Sequence, residues 1–388
     1  MHLKPSVLHV IKDLNPSSGG PTRSAPILMD ELFDENVDVA VVTFRQKGES
    51  ISLPKNPGIK KHILSGFWHL LWSLNFLGKN EGTLKILLKR TDILHIHGLW
   101  SYQTSILAII SIISNKKIAI HPRGMLSKTA LVSKKYKKKL ALLLYQRFII
   151  KRAKLIYVTS LAEYNDVLGF APSGRIIMVP NNGRRQSFNN FKSHSQIASS
   201  KYKFLFISRV HPLKGLDNLL IAFSRLKQSN WHLTIAGPGN KKYLKKLNNT
   251  CKQFEISQNV TFLPEVNDKQ KNSLYQKHDV FILPSLTENY GIVVEEALFA
   301  HMPVITTFAT PWTDLNKYKC GWCVGTLPDK IFKALQEAIN MDKQKLQKMG
   351  NCGRKYIEEK SKNRAAKIIA NDYRRLLILE QNKLISSK

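Results

Sequence analysis

Acidic residues are scarce in this chain. Its 388 residues include 27 aspartates and glutamates against 60 lysines and arginines, which gives a formal net charge of +33. A surplus of that size indicates an anionic partner or an anionic surface. The surplus is densest between Asn115 and Lys154, where thirteen residues are lysine or arginine and none is acidic. Phosphate-bearing ligands, nucleic acid and anionic lipid are therefore the partner classes to test.

Cysteine is also rare. The four cysteines include one C-x-x-C pair, Cys320 and Cys323, without the second pair or the paired histidines that a structural zinc site needs. A thioredoxin-like motif would open a helix after a strand near the start of a small fold, whereas this pair lies late in a long chain. Zinc modules and redox enzymes are therefore disfavoured.

Long apolar runs are missing as well. None reaches the roughly 18 to 20 residues that span a bilayer, so we expect no transmembrane helix. No signal peptide is visible, because the first predicted strand leads straight into a polar loop. We therefore expect a cytoplasmic protein. A hydrophobic content of 43% is typical of globular chains, and the length fits two domains of roughly 150 to 200 residues each.

Short apolar strands alternate with helical stretches in both halves of the chain. VLHVIK, VDVAVVTF, DILHIHG, KIAIHPRG and LIYVTS belong to the first half, and KFLFISRV, WHLTIAGPG, NVTFLPEV, DVFILPS and MPVITT belong to the second. This alternation predicts parallel, doubly wound α/β sheets. Residues 186–200 are polar and rich in serine and asparagine, which is typical of a linker. We therefore predict one domain over residues 1–185 and another over residues 201–364.

Residues 281–307, FILPSLTENYGIVVEEALFAHMPVITT, carry the clearest functional signal. An apolar strand ends at Pro284, a polar loop carries Glu288, and a helix that starts near Gly291 holds Glu296. The first amides and the dipole of such a helix favour an anion such as a diphosphate. Carboxylates beside it can hold hydroxyl groups. A phosphate site with flanking hydroxyl acceptors suits a nucleotide sugar.

A basic motif, R-x4-K-G, follows a predicted strand roughly 80 residues earlier. Its Arg209 and Lys214 would meet a diphosphate, the first as a planar fork and the second as a mobile point charge. Gly237, in the turn after the next strand, could admit a nucleotide base. The full dinucleotide fingerprint is missing, which disfavours an NAD enzyme. Glu295 points about 100° away from Glu296 on the helix, so we expect it to face water or a neighbouring helix.

The string E-x7-E, together with the earlier R-x4-K-G, resembles the donor site of retaining GT-B glycosyltransferases of family 4. The resemblance implies a GT-B fold, in which two Rossmann-like domains face a central cleft, and a helix over residues 365–388 that crosses back to the first domain. It also implies that a sugar leaves a nucleoside diphosphate with retention of configuration. No metal or other cofactor is implied, and the chain contains no Asp-x-Asp motif.

The resemblance also assigns roles to individual residues. Arg209 and Lys214 would neutralise the leaving diphosphate, and Glu296 would bind ribose hydroxyls. Glu288 would bind the sugar, which His121 would align from the first domain. The predicted catalytic residues are Arg209, Lys214, Glu288 and His121. The predicted donor-binding residues are Gly19, Gly20, Arg209, Lys214, Gly237, Ser285, Leu286, Glu288, Asn289, Tyr290, Gly291, Ile292 and Glu296.

The first half contributes a glycine turn and two strand ends. Gly19 and Gly20 directly follow the first predicted strand, where backbone amides can approach a phosphate or a sugar. His121 and Arg123 belong to HPRGML, which is similar to a bacterial polysaccharide subgroup of the family. A lone histidine at a strand end is more often structural. The resemblance favours a ligand role for His121, leaves His97 open between both roles, and places His97 and Arg123 on the acceptor side.

The subgroup implies a lipid-linked or oligosaccharide acceptor in bacterial O-antigen, capsule or exopolysaccharide synthesis. A UDP-sugar is the favoured donor and a GDP-sugar is an alternative, because departures such as Asn289, where the family often has glycine, leave the donor open. A GT-B nucleotide-sugar epimerase or phosphorylase would share the nucleotide half. A basic nucleic-acid-binding protein is a further alternative, although no helix-turn-helix, zinc finger or aromatic sheet motif is present.

The basic stretch contains SKKYKKKLALLLYQRFIIKRAK, which predicts a basic amphipathic helix. Each lysine or arginine near an anionic leaflet contributes about 1 kcal/mol, so we expect peripheral association with the inner face of the cytoplasmic membrane. The alternative is a core helix that packs Leu140, Leu143, Leu144 and Phe148 inward. The aromatic segment Phe67–Leu77 is equally compatible with an interfacial helix, an acceptor-side lid or a buried helix.

Overall fold

The computed structural model describes residues 4–15, 18, 20–45, 50–65, 82–132, 134–179, 201–228, 230–360 and 365–386. The chain divides into two compact units, Met1–Asn182 with Asn363–Lys388, and Gly183–Lys362. Each unit contains one sheet whose strands are all parallel, which confirms the predicted pair of Rossmann-like α/β domains. The predicted linker and the segment Phe67–Leu77 lie outside the described residues. None of the described helices is both long and apolar enough to cross a membrane.

The first unit has a seven-stranded sheet of order β3-β2-β1-β4-β5-β6-β7. Its strands are β1 Ser6–Ile11, β2 Asp38–Phe44, β3 Lys60–Leu64, β4 Ile93–His97, β5 Lys117–His121, β6 Leu155–Val158 and β7 Arg175–Met178. Its helices are α1 Gly20–Asp34, α2 Thr83–Arg90, α3 Tyr102–Ile113, α4 Lys128–Val132, α5 Lys135–Ala141, α6 Arg147–Arg152 and α7 Leu161–Leu168, with a π-helical segment at Leu142–Gln146. The C-terminal helix of the chain, Ala365–Ser386, belongs to this unit.

Both faces of this sheet are covered, because successive side chains of a strand point to opposite faces. Val10 and Ile96 pack on one face with α3 and α6, whereas Val7 packs on the other face with α1 and the C-terminal helix. Ala366 and Tyr373 of that helix are fully buried in the second of these cores. The C-terminal helix is therefore part of the hydrophobic core of the first unit.

The second unit has a six-stranded sheet of order β10-β9-β8-β11-β12-β13. Its strands are β8 Tyr202–Ile207, β9 Trp231–Ala236, β10 Val260–Leu263, β11 Val280–Leu283, β12 Val304–Thr307 and β13 Gly321–Val324. Its helices are α8 Leu216–Ser224, α9 Lys241–Gln253, α10 Asp268–Lys277, α11 Ile292–Phe299, α12 Pro328–Asn340 and α13 Lys343–Lys360, so that the C-terminal helix is α14. The strand order reverses between β8 and β11, and ligands of open α/β sheets bind outside the carboxyl ends of the strands at such a point.

Four histidines form a layer on the face of the first sheet that α1 and α14 cover. The parallel register pairs His9 of β1 with His95 of β4, and His97 of β4 with His121 of β5. All four are at most 3% exposed. Burial lowers the pKa of each imidazole, that of His9 to about 3, and the nearby charge of Arg123 lowers it further. The four rings are therefore neutral at physiological pH.

This layer predicts that the first unit loses stability in mild acid. Unfolded histidines bind protons below a pH of about 6.5, whereas the folded ones do so only far lower, near 3 for His9. Unfolding therefore takes up protons at pH values below about 6.5. Each histidine then lowers the free energy of unfolding by up to about 1.4 kcal/mol for every pH unit that the pH is lowered. We expect the urea unfolding midpoint to drop steeply between pH 6.5 and 5.

The control compares two variants. His9→Asn should make the midpoint less dependent on pH, because one buried neutral imidazole is gone. His301→Asn should leave the slope unchanged, since His301 lies in the second unit outside this layer, and asparagine tolerates its positive φ of 57°. A midpoint that is flat over this pH range in the unsubstituted protein would contradict the account.

Candidate functional site

The carboxyl edge of the second sheet brings the predicted basic and acidic motifs together. The loop after β8 contains Lys214, in the short 3-10 turn Pro212–Lys214, and the loop after β11 contains Glu288. The Lys214 ammonium group forms an ion pair with the Glu288 carboxylate, and both side chains are 15% exposed. The strands β8 and β11 are adjacent, so the pair lies where the strand order reverses.

Two glycines allow these loops to approach each other. Gly215 has a φ of +71°, and a Cβ atom there would lie 2.0 Å from the carbonyl oxygen of Pro284. Gly291 has a φ of +79° and caps the N-terminus of α11, where a Cβ atom would lie 3.3 Å from Cγ of Glu288. Side chains are disfavoured in this left-handed region. The two glycines therefore fix the backbone on both sides of the ion pair.

Backbone and hydroxyl contacts hold the acidic loop against the neighbouring strand β12. The hydroxyl of Thr307 donates to the carbonyl oxygen of Ser285 at 2.5 Å. The backbone amide of Glu288 donates to the carbonyl oxygen of Ala309 at 3.0 Å. The hydroxyl oxygen of Ser285 is buried and has no hydrogen-bond partner within the described residues. The two hydrogen bonds therefore fix the backbone of the loop at Ser285 and at Glu288.

Tyr290 and Glu295 support the loop from the core. The indole nitrogen of Trp312 donates to the carbonyl oxygen of Tyr290 at 2.5 Å, and the two rings lie 5.2 Å apart. Glu295 is 4% exposed. Burial raises the pKa of the Tyr290 hydroxyl, and the nearby charge of Glu295 raises it further. Of the two expectations for Glu295, exposure to water is wrong, because the side chain packs inside the fold. The other, a neighbouring helix, agrees with its burial and with its charge acting on Lys360 of α13.

Glu296 is buried on α11 and already has protein partners. Lys271 of α10 forms an ion pair with its Oε2 atom, and the hydroxyl of Tyr275 donates to the same atom at 2.9 Å. Lys271 is itself only 3% exposed and Tyr275 is fully buried. These two contacts orient the carboxylate, so its position is set before any ligand binds.

The remaining predicted residues of the second unit lie at the same carboxyl edge of the sheet. Arg209 is exposed at the end of β8. A Cβ atom at Gly237 would lie 2.0 Å from the carbonyl oxygen of Ser208 and 3.6 Å from the amide nitrogen of Arg209, so the Gly237 turn lies beside the basic motif. Leu286 is exposed, whereas Asn289 and Ile292 are half-buried. All of them follow the carboxyl ends of β8, β9 and β11.

In the first unit, Arg123 links the start of α1 to the histidine layer. Its guanidinium donates to the hydroxyl of Ser24 at 3.2 Å and to Nδ1 of His97 at 3.3 Å. The hydroxyl of Ser24 in turn donates to the carbonyl oxygen of Gly20, the exposed first residue of α1. Gly19 lies outside the described residues. His97, Gly20 and Arg123 thus belong to one hydrogen-bonded group.

A tight turn places Arg123 beside His97 and Ser24. Its φ is +59° and that of Gly124 is +73°, and the Gly124 amide donates to the buried carboxylate of Glu163 at 2.5 Å. Burial lowers the pKa of Arg123 to about 10, and the charge of Glu163 opposes that shift. A guanidinium with this pKa stays protonated, so a permanent cation lies beside the histidines.

Sequence reasoning did not identify five of the residues that shape these sites. They are His9, His95, Lys271, Tyr275 and Tyr373. The two histidines carry a signal, because they alternate with apolar residues in VLHVI and ILHIH and so share a face with His97. Lys271 and Tyr275 are one helical turn apart. Only the tertiary fold shows that they face α11, as it shows that Tyr373 reaches the first sheet.

The ring nitrogens of His9, His95 and His97 lie within 4.8 Å of one another. Three imidazoles can hold a zinc ion. Here the guanidinium of Arg123 donates to His97 at 3.3 Å, and Nδ1 of His9 and Nε2 of His97 are 2.9 Å apart. These contacts occupy both ring nitrogens of His97 and Nδ1 of His9, and the guanidinium adds a positive charge beside them. The trio is a poor fit for a cation.

The C-x-x-C pair is inert. Cys320 and Cys323 are both buried. Burial raises their thiol pKa values to about 12 and about 11, respectively. Reactive cysteines are thiolates with lowered pKa values in exposed, electropositive surroundings. The structure therefore offers no support for redox chemistry at this pair.

The basic segment from α4 to α6 exposes apolar side chains next to its lysines. The core interpretation is wrong for the four residues that it placed inside, since they are 46% to 82% exposed: Leu140, Leu143, Leu144 and Phe148. Ile149 and Ile150 fill the core instead. The exposed lysines of the same segment include Lys134, Lys135, Lys137 and Lys139. We call these apolar and basic side chains together the α4–α6 surface.

Parts of the sequence are similar to known glycosyltransferases. Residues 187–356 match the family model of glycosyl transferases group 1. An uncharacterised glycosyltransferase of Methanocaldococcus jannaschii is 32% identical over 146 residues, which cover 37% of this chain and 37% of that protein. An uncharacterised protein from the cps region of Klebsiella pneumoniae is 24% identical over 221 residues, or 55% and 59% of the two chains. The chain thus spans about two fifths and three fifths of these relatives.

Solved structures extend the similarity to both units. Sucrose-phosphate synthase from Thermosynechococcus elongatus superposes with a TM-score of 0.76 at 15% identity, over 97% of this chain and all of that one. Anabaena HepE in complex with UDP and glucose superposes with a TM-score of 0.68 at 16% identity, over 99% of this chain and 100% of that one. Identities this low show a shared fold. Residues 187–356 are therefore similar to the glycosyl transferases group 1 domain, and the chain has the fold of GT-B glycosyltransferases.

Proposed function

We propose that this protein transfers a sugar from a nucleoside diphosphate to an acceptor hydroxyl, with retention of configuration. The observation that carries the proposal is the Lys214–Glu288 ion pair at the strand-order reversal of a group 1 domain, beside the N-terminus of α11. An ammonium group and helix amides suit a diphosphate, and a carboxylate suits sugar hydroxyls.

The chemistry follows from the charges. When a diphosphate binds, Lys214 exchanges its Glu288 partner for phosphate oxygens, and Arg209 approaches from the exposed end of β8. Both cations and the dipole of α11 then balance the negative charge that grows as the sugar leaves. The leaving phosphate oxygen takes the acceptor's proton on the same face, so no protein nucleophile is required. Cationic side chains fill the role that a divalent metal has in other transferases, and we propose that none is needed.

The donor and the acceptor are proposed from the comparisons. A UDP-sugar is the favoured donor, since the similar HepE structure contains UDP and glucose, and a GDP-sugar is the alternative. A bacterial surface glycan, carried on a lipid or an oligosaccharide, is the proposed acceptor. The similarity to a protein from a cps region supports this class.

The first test removes the cations singly. Lys214→Ala and Arg209→Ala should each lower kcat by about 100-fold, because both act on charge that grows in the transition state. Lys252→Ala, at an exposed lysine late in α9 of the same unit, is the matched control and should keep full activity. The assay measures nucleoside diphosphate release in EDTA, with and without acceptor.

Three results would contradict the proposal. Unchanged turnover in both variants would remove the phosphate role. Loss of activity in EDTA that Mg²⁺ restores would show that a metal is needed. Consumption of the nucleotide sugar without any acceptor-dependent release of nucleoside diphosphate would favour an epimerase or a phosphorylase.

A second test separates the structural role of Glu296 from its proposed ribose contact. Replacing the buried pair in Glu296→Leu/Lys271→Met should be nearly neutral for stability, since apolar residues often replace buried ion pairs without loss. The Tyr275 hydroxyl keeps the carbonyl oxygen of Val293, 3.4 Å away, as an acceptor.

Donor affinity in this double variant, measured by calorimetry, should fall by about 10- to 100-fold, because a charged acceptor of hydroxyl hydrogen bonds is lost. Glu296→Leu alone leaves Lys271 buried and unpaired, and should lower stability by about 3 kcal/mol or more. A stable double variant with normal donor affinity would refute the ribose role.

We further propose peripheral attachment to an anionic leaflet through the α4–α6 surface. Exposed leucines and an exposed phenylalanine lie among lysines on adjoining short helices, which is the pattern of an interfacial anchor. The lysines match anionic headgroups, and the apolar side chains can enter the acyl boundary. A lipid-carried acceptor would be met at this surface.

Co-sedimentation with vesicles tests this attachment. Binding should require anionic lipid and should fall sharply when five lysines are neutralised together: Lys134, Lys135, Lys137, Lys138 and Lys139. Neutralising five lysines of the second unit, which removes the same charge, is the control and should matter less: Lys227, Lys241, Lys242, Lys245 and Lys252. Leu143→Ser/Leu144→Ser should abolish the fraction that resists high salt. Equal losses in both lysine sets would contradict a specific surface.

A further inference from the structure

The histidine layer contains two hydrogen-bonded chains, one that begins at Arg123 and one that begins at Tyr373. The guanidinium of Arg123 has no acceptor atom, so Nδ1 of His97 must accept its hydrogen bond. A neutral His97 then carries its proton on Nε2. That nitrogen lies 2.9 Å from Nδ1 of His9 and donates to it. Arg123 therefore sets the tautomers of His97 and His9.

The second chain begins at Tyr373 on the C-terminal helix. Its hydroxyl contacts Nδ1 of His95, and the described part of the chain offers this buried hydroxyl no other hydrogen-bond partner. If His95 donated instead, the hydroxyl proton would be buried without an acceptor, and this core would contain a second unsatisfied hydroxyl beside that of Tyr157, at the desolvation cost of an unpaired donor. Tyr373 is thus the donor, and His95 carries its proton on Nε2.

The direction of donation at His95 also determines the tautomer of His121. Nε2 of His95 lies 2.8 Å from Nδ1 of His121, so His95 donates and His121 carries its proton on Nε2. The rings of His95 and His121 are stacked at 4.9 Å with an interplanar angle of 9°, and Tyr157 lies 5.2 Å from His121. With Nδ1 occupied and the ring plane fixed, Nε2–H is the group that His121 has left for a ligand.

We propose that Tyr373 and His95 are positioning residues that hold His121 as a neutral Nε2–H donor for a hydroxyl of the transferred sugar. The sugar contact rests on the proposed function, whereas the tautomer does not. A neutral donor can bind a hydroxyl oxygen without adding charge beside the cation Arg123. The C-terminal helix thereby controls a predicted catalytic group of the first sheet through one intervening ring.

The test compares two tyrosines that differ in hydrogen bonding. Tyr373→Phe removes the donor at the start of the chain. Tyr157→Phe is the matched control, because its hydroxyl is buried in the same core without a hydrogen-bond partner among the described residues. Long-range ¹H–¹⁵N correlation spectra of the ¹⁵N-histidine-labelled protein report the tautomer of each imidazole, with His95→Gln and His121→Gln used for assignment.

We expect Nε2–H signals for His95 and His121 in the unsubstituted protein and in Tyr157→Phe, and mixed tautomers for both in Tyr373→Phe. Transfer by Tyr373→Phe should fall roughly 3- to 10-fold in kcat relative to Tyr157→Phe, with an unchanged KM for the donor, because the donor group is misoriented in part of the population.

An Nδ1–H or charged His121 in the unsubstituted protein would overturn the proposal, as would an unaltered tautomer ratio in Tyr373→Phe. Mixed tautomers with an unaltered kcat would overturn the positioning role in transfer. If no donor supports transfer by the unsubstituted protein, the proposed function fails, and the spectra still decide whether Tyr373 sets the tautomer.

Discussion

The ion pair between Lys214 and Glu288 is the interaction around which the candidate site is built. It joins the loop after β8 to the loop after β11 at the only reversal of strand order in the described sheet of the second unit. Gly215 lets the first loop approach Pro284, and Gly291 turns the second loop into the N-terminus of α11. Neither loop could move far without breaking this contact, so the cation, the carboxylate and the helix amides share one preorganised location.

A second constraint is the burial of neutral imidazoles in the first unit. Four histidines in one layer would repel one another if protonated, and their lowered pKa values remove that repulsion at the cost of acid stability. Arg123 and Tyr373 provide hydrogen-bond partners for Nδ1 of His97 and Nδ1 of His95, which this burial removes from water. Hydrogen bonds from Arg123 and Tyr373, and between the histidines, thus offset part of the cost of burying these imidazoles in a hydrophobic core.

Much of this organisation could be predicted from the sequence, and the limits have physical reasons. Alternating strands and helices indicate two parallel sheets, because a buried strand and its crossover helix are local patterns. The pairing of Lys214 with Glu288 was also within reach, since carboxyl ends of adjacent strands meet at one edge. The partners of Glu296 could not be predicted, because no local rule shows which helix packs against α11.

The two alternatives for the α4–α6 surface remained open from the sequence for a similar reason. A leucine-rich helical stretch with lysines is compatible with a core face or an exposed apolar face, since helical periodicity specifies a stripe but not what covers it. The structure leaves Leu143 and Leu144 uncovered and buries Ile149 and Ile150 instead. Glu295 is a comparable case, because its helical angle left water and a neighbouring helix open, and its burial next to Tyr290 depends on the loop.

The central claim is that the second unit binds the diphosphate of a nucleotide sugar, and thermal unfolding with matched ligands tests it most directly. UDP and GDP should be compared with uridine and guanosine, which lack the phosphates. A diphosphate at 100 times its Kd should stabilise the protein by about 2.7 kcal/mol, whereas the nucleosides should have little effect, and Lys214→Ala should remove most of the difference. Equal shifts with a nucleoside and its diphosphate, or no shift with either diphosphate, would contradict the account.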